Sequence, residues 1–237
     1  MMRKNYALIT GATKGIGRSI AYILAKEGYH LMLAARTEND LQDLVSTLRS
    51  DFPVIEIDYA VTDCKDHEQV KRLAAITLER FPAIHVLINN VGLFVPGGLL
   101  EEEAGALADH WAVNVHCTHY LSVYFGRKMC SRGDGHIFNI GSIAGKIPFA
   151  KAASYSVTKY AVHGLTAVLR QEFGAYGVKV TEIIPGSTYT SSWTGTTIPE
   201  EKFVAADDIA TAILQCLKMH AGTNVDEIII RPLDLDV

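Results

Sequence analysis

Seven short apolar runs, at Tyr6–Thr10, His30–Ala35, 54–58, 85–90, 136–142, 178–184 and 226–232, alternate along the chain with longer runs of helical spacing. Helices are expected over 63–81 with Asp63 as N-cap, and over 107–129, 152–176 and 207–220. Strands that alternate with amphipathic helices form a parallel sheet, because each crossover helix must cover one of its faces. The expected fold class is therefore α/β: a doubly wound, mostly parallel sheet of seven strands in one domain spanning residues 1–237. In such sheets ligands bind outside the carboxyl ends of the strands, so the residues that follow each apolar run are the ones to inspect.

Composition narrows the class. A chain of 237 residues that is 49% hydrophobic and 20% charged is long enough to bury a core without staples. The net charge of −4 comes with no basic cluster, which argues against a nucleic-acid surface. The first apolar run is too short, and too soon broken by glycine, for a signal peptide or membrane span. Cys64, Cys117, Cys130 and Cys216 are scattered with no C-x-x-C, as expected of structural thiols in a reducing cytoplasm.

Chemistry-bearing residues follow the strands in turn. After the first comes TGATKGIG, whose Gly11, Gly15 and Gly17 suit a tight turn, close approach of a pyrophosphate and close helix packing. The second strand ends in Ala35 and Arg36, where an acidic residue would bond a ribose 2′-hydroxyl. A guanidinium there, with Lys14 in the glycine turn, suits a 2′-phosphate, so NADP(H) is expected over NAD(H). The fourth strand ends in NNVG. Asn89 reads as a structural strand-to-strand bond, and Asn90, Val91 and Gly92 as cleft lining. Asn114 inside an apolar helix needs a partner, which a local helix irregularity holding a water would give. His110, His116 and His119 in the same helix lack a convincing ligand set and read as surface or interface histidines; no metal is expected.

The stretch 141–159 is the chemical centre. Tyr155 and Lys159 are four residues apart, so on a helix they share a face. A phenol is a weak acid, ordinarily near 10, and a fixed ammonium beside it favours the phenolate. Ser142, at the preceding strand end, can offer a hydroxyl to the same substrate oxygen. Tyr-x-x-x-Lys alone is a common helix-surface pair; the upstream glycine turn is what gives it weight. Pro185 and Gly186 end the sixth strand and open a Ser/Thr/Gly-rich segment, 187–206, placed as a lid. Phe94, Phe149, Tyr189 and Trp193 are candidate pocket walls.

Together TGATKGIG, NNVG, Asn114, Ser142, YSVTK and PGSTYT resemble the short-chain dehydrogenase/reductase family over about residues 5–190. The resemblance implies a Rossmann fold and an NAD(P)-dependent oxidoreductase. Tyr155 would be its acid/base, with Lys159 tuning that phenol and binding the nicotinamide ribose. Ser142 would orient the carbonyl, and Asn114 would place a relay water. It further implies cofactor contacts at Thr13, Ile16, Ala60, Val61 and Ile140, and at Thr188 and Thr190. The PGSTYTSSW segment and the EIIIRP ending are similar to bacterial sepiapterin-reductase-like members, and the middle of the chain to 3-oxoacyl-carrier-protein reductases. Two departures stand out: Ala60 replaces a polar adenine-side residue, and the C-terminal end lacks the glycine-rich segment of many carrier-protein reductases. A small-molecule ketone or aldehyde is the expected substrate. Alcohol oxidation and a non-catalytic NADP(H)-binding redox sensor are the alternatives. Apolar residues on more than one face of the 107–129 and 152–176 helices predict a homodimer or homotetramer.

Overall fold

The computed structural model describes residues 5–190, 193 and 195–234. Among these, seven strands form one sheet: β1 (Tyr6–Thr10), β2 (His30–Ala35), β3 (Ile57–Val61), β4 (Val86–Asn89), β5 (Gly135–Ile140), β6 (Val178–Pro185) and β7 (Glu227–Ile230). Their order is β3-β2-β1-β4-β5-β6-β7, and every adjacent pair is parallel. The order reverses between β1 and β4, and that switch point opens a crevice at the carboxyl edge.

Side-chain alternation along β1 shows how both faces are filled. Ala7 and Ile9 join a core with Ile20 and Leu24 of α1 (Gly15–Lys26), Leu41 and Leu44 of α2 (Glu38–Asp51), and Ile209 and Ile213 of α7 (Ala206–Leu217). Tyr6 and Leu8 point the other way. They join Leu73 of α3 (His67–Arg80), Leu121 and Phe125 of α5 (Cys117–Arg132) and Leu169 of α6 (Ala153–Phe173). The fold is thus doubly wound, as the pattern predicts. Among the described residues no helix is long and apolar enough to cross a membrane.

Two local expectations change, and one expected irregularity is present. The third strand begins at Ile57 rather than 54, which brings Ala60 and Val61 inside it, paired with Ala34 and Ala35. Residues 53–56 instead leave α2 through a turn, beside which Glu56 N–H donates to His30 Nδ1. Asp66, not Asp63, caps α3, its carboxylate accepting from Glu68 and Gln69 N–H. Asp63 caps the turn before it by accepting from Lys65 N–H. The long fourth helix is interrupted: α4 (Ala106–His110) passes through a π-helical segment, Trp111–His116, into α5.

Candidate active site

The glycine turn meets the requirements of a phosphate cradle. Gly11 and Gly15 have φ of +64° and +49°, and a Cβ on Gly17 would lie 2.2 Å from Gly11 O. Such a turn admits no side chain at these points. The N-cap of α1, Lys14, makes no side-chain capping bond, and no acidic residue sits in the first turn. The amides and positive dipole end of α1 are thereby left to an anion. Thr13 and Ile16 flank this turn, with Ile16 packed on the core. Asn90 is more than cleft lining. Its Nδ2 donates to Thr10 O and Gly11 O, and Thr10 Oγ1 accepts from the Asn90 and Val91 amides. It therefore fixes the turn across the switch point. Asn89 bridges strands and helix as expected, donating to Asn139 Oδ1 and Ser122 Oγ.

At the ends of β2 and β3 Arg36 is exposed, whereas Lys14 Nζ is 3.1 Å from Asp40 Oδ2 of α2. Ala60 is buried at the end of β3, and Val61 beside it is exposed.

Asn114 lies in the π-helical segment and is 1% exposed. Its Oδ1 accepts from Leu93 N–H at 2.7 Å, and its Nδ2 donates to Leu93 O and to Thr158 Oγ1, both at 3.0 Å. The expected irregularity is present, and π-helical segments recur at functional sites because they displace a carbonyl from the regular ladder. Lys159, 4% exposed, donates from Nζ to Ile140 O at 2.8 Å. Among the described residues the bonded partner of this buried ammonium is a neutral carbonyl; burial so paired is costly, and its charge favours a nearby anion. Gly92 lies between the two groups: a Cβ there would be 3.8 Å from both Asn114 Oδ1 and Lys159 Nζ.

Tyr155 is half-buried, with Lys159 Nζ 5.6 Å from its ring centroid. The Phe94 ring meets it edge-on at 5.0 Å. Ser142 follows β5 in extended conformation, its Oγ accepting from Ala144 N–H. Asn114, Ser142, Tyr155 and Lys159 thus gather at the ends of β4 and β5.

Two residues near this centre escaped the sequence reading. Glu102 accepts from both the backbone N–H and the hydroxyl of Ser154 in the first turn of α6. Those two bonds hold its carboxyl below the ordinary range. An acidic group is thereby supplied to the N-terminus of the helix that carries Tyr155, from a loop 52 residues earlier. No local pattern announces that pairing. His110, expected at the surface or an interface, is buried within the chain itself. Its Nε2 accepts from Val95 N–H, leaving Nδ1 to donate to Ala106 O, and its ring lies 6.5 Å from that of Tyr155. His116 and His119 are exposed, as expected.

Beyond β6, Gly186 N–H donates to Ile230 O and Thr188 Oγ1 to Gly186 O. Residues 187–189 pair with Val204, and the Tyr189 and Trp193 rings collect on Phe203 at 5.6 and 4.8 Å. Thr190 touches the glycine turn: a Cβ on Gly15 would meet its Cγ2 at 2.8 Å. The expected lid therefore has a tied base, although Ser191, Ser192 and Thr194 within it lie outside the described residues. Phe149 is exposed before α6, and its amide N–H reaches Ser156 Oγ.

Known proteins give this geometry a context. The chain is 32% identical to an uncharacterized oxidoreductase of Staphylococcus saprophyticus, over 98% of this chain and 99% of that one. It is also 32% identical to one of Staphylococcus aureus, over 96% of each. Among solved structures it resembles an alcohol dehydrogenase of the archaeon Thermococcus sibiricus complexed with 5-hydroxy-NADP. That match has a TM-score of 0.89 and 27% identity, over 98% of this chain and 97% of that one. A metagenomic short-chain oxidoreductase in complex with NADP matches with a TM-score of 0.84 and 26% identity, over 96% of each. The family described as short chain dehydrogenase matches residues 5–200, and the chain belongs to it.

Proposed function

We propose that the protein is an NADPH-dependent oxidoreductase that reduces the carbonyl of a small ketone or aldehyde. The observation that carries this reading is the buried Lys159 ammonium, held by a neutral carbonyl beside Asn114 and one helical turn from Tyr155. The uncapped α1 terminus and the side-chain-free glycine turn suit a pyrophosphate. Solved relatives that carry NADP or its 5-hydroxy form, together with Lys14 and Arg36, support the phosphorylated cofactor.

When bound, NADPH supplies the hydride. Tyr155 holds the proton that neutralises the carbonyl oxygen, and Ser142 donates a hydrogen bond to the same oxygen. Lys159 stabilises the phenolate that remains. Asn114 keeps Leu93 and the Tyr155 helix in register and carries the proton route to solvent. Phe94, edge-on to Tyr155, and Phe149, Tyr189 and Trp193 as further pocket walls would suit an apolar, sepiapterin-like or other bulky ketone. A panel of ketones, aldehydes and 3-oxoacyl thioesters followed by NADPH absorbance tests the proposal. Turnover is expected with an apolar ketone, and Tyr155→Phe is expected to abolish it while cofactor binding persists. Full activity in Tyr155→Phe would end the reading, and cofactor binding without turnover on any substrate would favour a redox sensor.

Similarity to the archaeal alcohol dehydrogenase favours a second reading, oxidation of an alcohol with NADP+, which the same panel run in reverse separates. We also propose a homodimer or homotetramer. Val115, Val162 and Leu169 are buried within the chain, but Trp111, Val157, Tyr160 and Val168 remain exposed on the same helices. Light scattering that returns a monomer would refute it.

A further inference from the structure

A buried carboxylate behind Ser142 is not used by the chemistry above. Glu182 of β6 is 1% exposed, and its Oε2 lies 2.7 Å from His163 Nδ1. His163 Nε2 is 3.2 Å from Lys146 Nζ, which also donates to Glu227 Oε2 of β7 at 2.9 Å. An ammonium can only donate, so Nε2 accepts and Nδ1 carries the hydrogen that binds Glu182. Burial pushes the Glu182 carboxyl up, and the His163 bond works against that shift. The His163, Glu182 and Glu227 ligand atoms lie within 4.8 Å of one another, close enough to suggest a metal site. Lys146 already supplies the positive charge such a trio attracts, so the four residues read as a hydrogen-bonded network around the Lys146–Glu227 ion pair.

The network grips the Ser142 turn at both ends. Glu182 lies against Gly141, where a Cβ would come within 2.3 Å of Oε1. Lys146 closes the 3-10 turn Ile143–Gly145, and its own carbonyl accepts from Tyr160 OH of α6 at 2.6 Å. Gly145 packs on the Lys159 backbone so closely that a Cβ would lie 2.7 Å from Lys159 O. His163 follows Lys159 by four residues and Tyr155 by eight, so it is on the same helix face two turns on. One cluster therefore touches the support of Ser142 and that of Tyr155.

We propose that Lys146, His163, Glu182 and Glu227 act as one positioning unit that fixes the Ser142 turn against the helix bearing Tyr155. The proposal rests on reading Ser142 and Tyr155 as the groups that meet the carbonyl. The four act as positioning residues through the Ser142 turn and the Tyr155 helix, so their effect falls on kcat rather than on cofactor binding. Lys146→Met and the near-isosteric Glu182→Gln should each lower kcat about tenfold, since small misplacements of a reacting group cost that much or more. KM for NADPH should stay within about twofold, and Lys146→Arg should recover most of the loss. Because both side chains act through His163, the double variant should lose no more than the worse single one.

Amide exchange of residues 141–147 reads the same unit without turnover, and so stands apart from the reductase reading. In both single variants it should accelerate about tenfold, with Tyr6–Thr10 unchanged. Multiplying losses in the double variant, or unaltered exchange in 141–147, would overturn the proposal.

Discussion

The side-chain amide of Asn114 donates to the Thr158 hydroxyl at 3.0 Å, and that hydroxyl in turn donates to Tyr155 O at 2.8 Å. The π-helical segment is thereby bonded to the helix carrying Tyr155 and Lys159. Thr158→Val keeps the shape but leaves a buried amide hydrogen without its acceptor, which costs about 1–3 kcal/mol. Urea unfolding should register that loss. Turnover should fall as well, since Thr158, together with Leu93, orients Asn114. A valine variant as stable and as active as the parent would show that the bond positions nothing.

Lys14 is paired with Asp40 at 3.1 Å, so the basic group expected to meet a 2′-phosphate is partly neutralised beforehand. Lys14 is exposed and Asp40 half-buried, so the pair is largely screened and worth up to about 1 kcal/mol. Asp40→Asn should therefore tighten NADPH roughly twofold to fivefold, with NADH unchanged and the gain shrinking in high salt. Arg36→Asp should move the ratio of kcat/KM values toward NADH. Fluorescence titration with both cofactors measures the first effect and initial rates the second.

The strands and the glycine turn were legible because each is a local pattern. Tyr6–Thr10 is five consecutive buried residues, and Gly11, Gly15 and Gly17 are needed by the backbone itself. Asn114 could be singled out because an amide in an apolar helix demands partners, although which partners is a tertiary matter. The contacts that hold the centre in place were not legible, for the same reason. Glu102 reaches Ser154 from 52 residues away, and Glu227 reaches Lys146 from 81 away. Asp63 lost the cap to Asp66 by three residues, a margin that helix-start signals do not resolve when two aspartates compete. His110 was misjudged because its burial depends on the 93–95 loop folding over it.

His136 gives the stability a definite acid limb. Its Nε2–H donates to Thr181 Oγ1, which itself donates to Val225 O, and its ring stacks on Phe138 at 3.9 Å. Burial, aided by nearby Lys179, lowers its pKa from 6.5 to about 3. Between those values the unfolded chain binds a proton that the native one does not, so stability rises with pH across that window. Above it the residue contributes no slope. From pH 7 down to pH 4 the loss from this group is about 3 kcal/mol. His136→Gln should remove that slope, so the gap in unfolding free energy between the two proteins should narrow as pH falls. A constant gap would mean that the imidazole titrates normally in the fold.

Gly17 and Gly126 separate damage to the cradle from damage to the core. A Cβ at Gly17 would sit 2.2 Å from Gly11 O, a backbone atom of the turn, and 2.6 Å from the Asn90 amide that holds it. One at Gly126 would meet the Phe173 ring at 2.3 Å, on the face of the sheet covered by α5 and α6. Either alanine overfills its site, which costs about 1–3 kcal/mol. Only Gly17→Ala distorts the loop proposed to hold the pyrophosphate, so it should weaken NADPH binding about a hundredfold, roughly 3 kcal/mol. Gly126→Ala should leave that affinity within about twofold while lowering the unfolding midpoint about as much as Gly17→Ala does. Equal affinities in the two variants would place the cofactor phosphates away from the β1–α1 turn.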